Sequence, residues 1–276
     1  MSALIKRQSA LRGPAAAVVL TAGILAPVSL TAQSPPPGGP VLTTRDLIIL
    51  GAAAGGAGLL APFDTRIARW SQQRRRHQSR AVDDVAAAAR VFGDPGVLIL
   101  GAATYGAGLI ADRRATASVG LHTVGALAVG SVVTTAIKLG VGRARPYVTH
   151  DSAAFDVGLG RGLRGGNAYQ SFPSGHSTAA FAFAGALAAE GRYRWRDANE
   201  VTGPAGFAVA GLVAASRVYH DRHWASDVVA GASIGAVAGA AVVRYARAHP
   251  GNAADRRLLP KRSSAPAPIV SWTVRF

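Results

Sequence analysis

Residues 216–227 read SRVYHDRHWASD, and this polar stretch separates two long apolar ones. His223 and Asp227 are four positions apart, so the two side chains share one face wherever the chain is helical. A carboxylate at that place can accept a hydrogen bond from one imidazole nitrogen and leave the other free to attack. Arg217 precedes His223 by six residues, near enough to hold the anion under attack. The alternative interpretation is a surface contact between a histidine and an aspartate along a helix.

A second polar stretch, Pro173-Ser174-Gly175-His176, comes directly before another apolar stretch. Ser174 is a favourable N-cap residue, and the free amides and dipole of a helix N-terminus favour a bound phosphate. Gly175 lets the backbone approach a ligand closely. His176 would lie beside that anion, where it could protonate a leaving alkoxide. An ordinary serine-capped helix start is the alternative.

Two cations, Lys138 and Arg145, follow the longest apolar stretch, and Pro146 ends any helix there. Alone, they could equally be loop charges at a membrane edge. Together with the other two polar stretches, they supply cations, a helix N-terminus, two histidines and a carboxylate at the ends of apolar segments. Phosphoryl transfer to an imidazole requires this set, because the equatorial oxygens must be neutralised and the leaving group protonated. We call the three stretches the polar clusters.

Apolar stretches rich in Ala, Gly, Leu and Val predict helices. Small side chains let helices pack closely, as in membrane proteins. Only Ser118–Ile137 reaches the roughly 20 residues that span a bilayer, so a periplasmic soluble bundle is the alternative. His122, within that stretch, is expected to be a core histidine with its own hydrogen-bond partners. The predicted fold is all-α, a membrane-associated bundle of about six apolar helices. The stretches are Leu47–Ala61, Gly96–Ala111, Ser118–Ile137, Thr178–Ala189, Gly203–Ala215 and Val228–Val243.

The chain is strongly basic, with a formal net charge of +16 although only 16% of its residues are charged. Such an excess attracts phosphate in lipid headgroups, small esters or nucleic acid, but the chain has no zinc-finger or RNP motif that would indicate nucleic acid. The absence of cysteine excludes thiol catalysis and disulfides. Within the Arg-rich segment Asp64–Asp94, residues Val82–Val91 predict an amphipathic helix, either lying along a surface or solvated between core helices.

Four segments are expected along the chain. Residues 1–32 combine a basic start with an apolar run, which predicts a signal peptide or an uncleaved signal anchor. Residues 33–44 form a proline-rich linker, residues 45–245 the catalytic domain, and residues 246–276 a basic tail. The last residues of that tail alternate like a strand and have no assigned role. An export signal places the protein in a bacterial-type cell envelope, exported and either membrane-associated or periplasmic.

The export signal bears on which side of the membrane the polar clusters face. Three crossings between an exported N-terminus and Lys138 would bring the clusters to the cytoplasmic side. Two arrangements would keep them outside: either Leu47–Ala61 or Gly96–Ala111 does not span the membrane, or the whole domain is a periplasmic bundle.

The polar clusters resemble the signature of the type 2 phosphatidic acid phosphatase (PAP2) and vanadium haloperoxidase superfamily. That signature is K-x6-R-P, P-S-G-H and S-R-x5-H-x3-D, and the chain matches every fixed position. The resemblance covers about residues 45–245 and implies a PAP2-like helical core. It implies that His223 is the nucleophile, His176 the general acid and Asp227 the residue that orients His223. No metal ion is required in the phosphatase branch. The phosphate-binding residues that it implies are Lys138, Arg145, Ser174, Gly175 and Arg217.

The expected activity is metal-independent hydrolysis of a phosphomonoester or pyrophosphate, most plausibly of a lipid, through a phosphohistidine intermediate and without a cofactor. The expected partners are a phosphorylated lipid or small phosphate ester and the membrane, but not nucleic acid. One alternative is a vanadium haloperoxidase, with vanadate bonded to His223 in the same pocket. Another is a non-enzymatic basic envelope protein that binds anionic lipid. Neither the substrate nor the oligomeric state is encoded in a readable motif.

Overall fold

A computed structural model describes residues 38–148 and 157–261. Within these ranges the regular structure is helical, which confirms the all-α prediction, and the isolated β-contact there joins Arg143 to Val157. The expected export signal and the strand-like end of the tail lie outside the described residues. The α-helices are α1 (Thr44–Leu60), α2 (Asp64–Arg75), α3 (Arg80–Val91), α4 (Val97–Ile110), α5 (Arg114–Val141), α6 (Arg161–Arg164), α7 (Gly175–Arg194), α8 (Arg196–Tyr219), α9 (Ala225–Ala248) and α10 (Ala253–Leu258).

Six of these helices, α1, α4, α5, α7, α8 and α9, contain the six predicted apolar stretches and pack as an antiparallel bundle. The polar clusters all lie at one end of it. Lys138 is in the last turn of α5, Ser174 caps the start of α7, Arg217 is in the last turn of α8, and Asp227 is in the first turn of α9. We call this end the cluster end.

Helix α7 lies at the centre of the bundle and packs against α9 across small residues. A Cβ atom at Gly235 would lie 2.2 Å from the carbonyl oxygen of Thr178, and one at Gly239 would lie 2.5 Å from that of Ala182. Any side chain at these positions would push the helices apart. The glycine and alanine content of the sequence is therefore explained by close helix packing.

The outer faces of the other helices are apolar and exposed. Within the part of the chain that the structure describes, five helical elements are long and apolar enough to cross a membrane. In four of them, at most 33% of the apolar window is buried. Leu59, Ile110, Val132 and Val201 each expose 70% or more of their surface. Water-soluble monomers rarely expose contiguous apolar surface on this scale. The candidate spans are Thr44–Arg75, Arg80–Ile110, Arg114–Val141, Arg196–Tyr219 and Ala225–Ala248.

Flanking residues lengthen most of the helices beyond the apolar stretches. Helices α5, α7, α8 and α9 continue on both sides of their stretches, so that α8 and α9 each contain 24 residues, whereas α4 is no longer than its stretch. The amphipathic helix predicted at Val82–Val91 is confirmed as α3, which has no buried residue.

Helix α1 runs the length of the bundle. In its first turn Asp46 pairs with Arg244, near the end of α9. Just beyond its last turn, Asp64 accepts a hydrogen bond from the backbone N–H of Ser226 at the start of α9. The two ends of α1 therefore lie at opposite ends of the bundle.

Helix α4 also runs between the two ends. It follows Gly93, where a Cβ atom would lie 3.6 Å from the His176 ring at the cluster end. Farther along α4, the hydroxyl of Tyr105 donates to the carbonyl of Leu258 at the other end. The structure therefore gives no support to the idea that Leu47–Ala61 or Gly96–Ala111 fails to run the length of the bundle. Three bundle helices, α1, α4 and α5, separate the start of α1 from Lys138.

The end opposite the polar clusters is closed by a buried ionic group. The two ring nitrogens of His122 contact Glu190 and Asp255, and the fully buried Glu190 also accepts hydrogen bonds from Arg194 and Arg247. These contacts fasten α10 against α5, α7 and α9. They confirm the prediction of a core histidine with its own partners.

Candidate active site

The first polar cluster enters the site through a sharp helix end. Gly142 ends α5 in the left-handed conformation, with φ of 58°, a conformation that glycine adopts without strain. The loop that follows carries Arg143 and Arg145, of which only 3% and 8% are exposed. The Lys138 ammonium donates to the carbonyl of Gln170 at 2.6 Å. Three cations are thus held in one small region.

The second cluster forms the N-terminus of α7. Ser174 is fully buried, and its Oγ accepts hydrogen bonds from the N–H and the hydroxyl of Ser177. The Ser174 hydroxyl proton remains for a ligand. Gly175 faces the Lys138 side chain, since a Cβ atom on it would lie 3.9 Å from the lysine Cε. Lys138 and the start of α7 therefore border the same space.

Arg217 is a buried cation with unused donors. Only 5% of it is exposed, and its Nε and Nη1 have no hydrogen-bond partner among the residues that the structure describes. Buried N–H groups without partners are costly, and charged ones more so. An anion bound beside Arg217 would satisfy both donors.

Arg145 is fixed on the side of His223 that faces these cations. Its guanidinium donates to the carbonyl and the side-chain oxygen of Asn167 at 2.8 and 2.6 Å, and to the carbonyl of Arg222 at 3.1 Å. Its Nη1 also lies 3.4 Å from Nε2 of His223. Nε2 is therefore the imidazole nitrogen directed at the cations.

Asp227 lies on the other side of the imidazole ring. Its Oδ2 is 3.5 Å from Nδ1 of His223, which is within ion-pair range but too long for a strong hydrogen bond. The carboxylate is occupied instead by Arg143 at Oδ1 and by the Ser171 hydroxyl and the Trp224 N–H at Oδ2. Asp227 therefore acts on the ring through its charge rather than through a short hydrogen bond.

Burial controls the protonation of both histidines. Burial lowers the pKa of His223 to about 3, with the charges of Lys138 and Arg145 adding to the effect and Asp227 opposing it. The imidazole is therefore neutral at physiological pH, with a lone pair available on Nε2. Burial likewise lowers the pKa of His176, which lies in none of the candidate spans, to about 4, and the charges of Arg217, Arg90, Arg145 and Lys138 lower it further.

The structure thus brings together all eight residues predicted for the site. Sequence reasoning missed four groups that hold them: Arg143, Ser171, Asn167 and the carbonyl of Gln170. Arg143 lies between the fixed positions of the first cluster, so its charge and its place in the loop were available as a signal. Asn167 and Gln170 lie in a glycine-rich loop with no distinguishing pattern.

A cavity of about 280 Å³ adjoins the site on the side of α2. It is lined by Pro146 and Trp224, neighbours of Arg145 and His223, by Arg69 of α2 and Arg76 just beyond it, and by Asp221. Gln72 also lines it, and its Nε2 is buried without a hydrogen-bond partner among the described residues. With two arginines and one aspartate, the lining has an excess of positive charge and an unused donor.

A family model described as the PAP2 superfamily matches residues 120–250. That range contains the three polar clusters and all eight predicted site residues. The match covers a little under half of the chain. It confirms the resemblance expected from the clusters.

Two curated relatives of this chain are both named lipid A 1-phosphatase. The one from Porphyromonas gingivalis is 40% identical over 83 residues, which cover 29% of this chain and 17% of the relative. The one from Rhizobium johnstonii is 39% identical over 101 residues, which cover 36% of each chain. The matched regions thus span well under half the length of either relative.

Among solved structures, the fold is similar to that of the transmembrane PAP2-type phosphatidylglycerolphosphate phosphatase from Bacillus subtilis. The TM-score is 0.54 at 20% sequence identity, and the match covers 72% of this chain and 92% of that chain. At this level of identity the likeness shows the fold. It confirms a PAP2-like helical bundle.

Proposed function

We propose that this protein is a membrane-embedded phosphatase that hydrolyses a lipid phosphomonoester or pyrophosphate through a phosphohistidine on His223. One observation carries the proposal. The Nε2 atom of a buried, neutral His223 faces a set of cations that includes Arg217, whose buried donors lack partners. A nucleophile beside cations whose buried donors lack partners is the arrangement that phosphoryl transfer requires.

In the first step, Lys138, Arg145 and Arg217 bind the phosphoryl oxygens, with the Ser174 hydroxyl and the Gly175 amide as further donors. Nε2 of His223 attacks phosphorus as the bond from phosphorus to the leaving oxygen breaks. Binding of the phosphate dianion among the cations first draws a proton from solvent onto His176, and His176 then gives that proton to the leaving oxygen. The alcohol or phosphate therefore leaves as a neutral or less charged group. The cations neutralise the charge that spreads over the equatorial oxygens.

In the second step, water attacks phosphorus and the phosphorus–nitrogen bond breaks. His176, now neutral, accepts the proton of that water, and inorganic phosphate and free His223 are restored. The imidazole ring is cationic while Nε2 is bonded to phosphorus, and the charge of Asp227 beside Nδ1 stabilises it. We propose that no metal ion takes part, because the three cations supply the positive charge that a metal would otherwise provide.

A lipid substrate is supported by the surroundings of the site. The exposed faces of the candidate spans are apolar, which supports a location of the cluster end near a bilayer surface. Arg69 and Arg76 line the adjoining cavity and are suited to an anionic headgroup. The two curated relatives are named as phosphatases of a lipid. We place the protein in the bacterial cell envelope, with the start of α1 and the cluster end on opposite faces of the membrane.

The experiment is phosphate release by the purified protein in detergent micelles. The substrates are phosphatidic acid, a prenyl pyrophosphate, lipid A and a water-soluble phosphate ester, and the control is His223→Ala. We expect turnover of at least one lipid, insensitivity to EDTA, and loss of turnover in the variant. Full activity of His223→Ala, or loss of activity in EDTA, would contradict the mechanism. Bromide oxidation with vanadate and peroxide, measured in parallel, would reveal a haloperoxidase.

A further inference from the structure

A buried ionic chain extends behind the nucleophile, away from the phosphate-binding cations. Arg143 donates from Nη1 to Oδ1 of Asp227 and from Nη2 to Oδ2 of Asp64, the latter at 2.8 Å. Asp64, Arg143 and Asp227 are 2%, 3% and 0% exposed. This ionic chain of three residues therefore links the first turn of α2 to the carboxylate beside His223.

Ser226 and Trp224 hold this chain in one geometry. The backbone N–H of Ser226 donates to Oδ1 of Asp64 at 3.0 Å, and its hydroxyl contacts Oδ2 of the same carboxylate. Arg143 donates to that hydroxyl at 2.7 Å, and its guanidinium lies over the Trp224 ring at 5.4 Å. Arg143 is thus constrained on several sides, which a charge needed only for solubility would not be.

The charges of the ionic chain formed by Asp64, Arg143 and Asp227 do not cancel. Two carboxylates and one guanidinium leave a net charge of −1 next to an imidazole that becomes cationic when Nε2 bonds to phosphorus. If Arg143 faced Asp227 alone, the pair would be neutral and would stabilise that cation less. Asp64 restores the negative charge, and it also keeps Arg143 from being a buried cation with a single partner.

We propose that Asp64 and Arg143 are positioning residues that act on His223 through Asp227. Arg143 fixes the orientation of the Asp227 carboxylate, and Asp64 preserves the negative charge that stabilises the phosphohistidine. This inference rests on the proposed phosphatase function. Asp64 lies outside residues 120–250, the range matched by the family model.

The decisive variant is Asp64→Asn, which removes one charge and keeps the shape of the side chain. This variant brings the net charge of the ionic chain (residue 64, Arg143 and Asp227) to zero. We therefore expect kcat for phosphatidic acid in micelles to fall about tenfold or more. KM is expected to stay within about twofold, because Asp64 touches none of the phosphate-binding groups. The loss of negative charge also lowers the pKa of His223, so the acid limb of the kcat/KM profile moves to lower pH.

A double-mutant cycle separates charge from packing. Arg143→Met alone leaves two buried carboxylates uncompensated, and we expect it to be the most impaired variant. Asp64→Asn with Arg143→Met restores the net charge of −1 on Asp227. Its acid limb is expected to return toward that of the wild type, although kcat remains low because Asp227 has lost its anchor. Strictly additive effects in this cycle would contradict the proposal.

The matched control is Asp46→Asn. Asp46 is also buried, lies in the first turn of a helix and pairs with an arginine, Arg244, but at the opposite end of the bundle. We expect its kcat and pH profile to equal those of the wild type. An equal loss of kcat in Asp46→Asn would show that removal of any buried acid is enough, and would overturn the inference.

If Asp64→Asn does not yield folded protein, Ser226→Ala provides the test. It removes the hydroxyl that contacts Asp64 and Arg143 without changing charge, so kcat should fall by a few fold and the acid limb should not move. Wild-type kcat in a folded Asp64→Asn or Ser226→Ala protein would overturn the proposal. Failure of the proposed function looks different, because the wild type itself would then release no phosphate.

Discussion

Nη1 of Arg145 lies 3.4 Å from Nε2 of His223, on the side of the ring opposite Asp227. The cations and the carboxylate therefore act on different nitrogens of one imidazole. Nε2 is directed at the place where a phosphoryl group would bind, and Nδ1 is directed at the charge that would stabilise the product of attack. His223 thus has positive charge beside Nε2 and negative charge beside Nδ1.

Arg217 is expected to lower the stability of the protein when no anion is bound, and to bind the phosphoryl group during the reaction. Arg217→Met removes a buried guanidinium with unpartnered donors, so we expect the unfolding temperature without ligand to stay equal or rise. The rise in unfolding temperature caused by vanadate should be lost, and kcat/KM should fall about 100-fold or more. Thermal unfolding with and without vanadate measures both effects.

The control for this variant is Arg222→Met, which removes an exposed cation near the same loop. It should keep the vanadate-induced stabilisation. A similar loss in both variants would mean that general basicity, rather than the unpaired Arg217, binds the anion.

Anion binding is expected to draw a proton onto His176. Burial and four neighbouring cations lower the pKa of His176 to about 4. Without a bound anion, the ring is therefore neutral at pH 7. A bound phosphate dianion offsets those cations and raises this pKa. Between the two pKa values binding takes up a proton, and affinity therefore increases as pH falls through that window.

Calorimetry of vanadate binding in buffers of different ionisation enthalpy measures this uptake. We expect close to one proton at pH 7 for the wild type and none for His176→Asn. His220→Asn is the control, since His220 contacts the Ser216 carbonyl and has no part in the mechanism. Unchanged proton uptake in His176→Asn would refute the assignment of His176 as the general acid.

The basic cavity beside the site is expected to bind the headgroup of the lipid. Replacement of Arg69 and Arg76 by alanine should raise KM for an anionic lipid phosphate about fivefold or more and leave kcat for a water-soluble ester unchanged. The matched control is the alanine pair at Arg256 and Arg257, exposed on α10 at the other end of the bundle. If this control raises KM equally, net charge rather than the cavity is responsible.

The absence of cysteine allows a clean test of topology. We expect Gln73→Cys on α2 and Gly251→Cys beyond α9 to react with a membrane-impermeant reagent from opposite sides of the membrane. Both positions are exposed. Labelling of both from the same side would contradict an arrangement in which the two ends of the bundle face opposite sides of the membrane.

The sequence predicted the elements of this fold better than their ends. Apolar runs identified all six bundle helices, since burial and lipid exposure both demand apolar side chains. The apolar runs underestimated the lengths of these helices because polar residues such as Arg196, Asp197 and Arg244 continue a helix beyond its apolar run. The polar clusters were recognisable because each follows or precedes an apolar run.

The ionic contacts between distant parts of the chain were not predictable. Arg143 and Asp64 are 79 residues apart, and His122 and Glu190 are 68 apart. Local periodicity carries no information on such pairs. For the same reason the sequence predicted a direct hydrogen bond from His223 to Asp227, whereas the structure has Arg143, Ser171 and Trp224 as the hydrogen-bond partners of that carboxylate.

The central claim is that His223 forms a covalent bond to phosphorus. The most direct test is to quench the protein in alkaline detergent during turnover of radiolabelled phosphatidic acid, and to map the label. We predict a base-stable, acid-labile adduct on the peptide that contains His223, formed by the wild type and absent from His223→Ala. Turnover without any such adduct, or an adduct that persists in His223→Ala, would contradict the account.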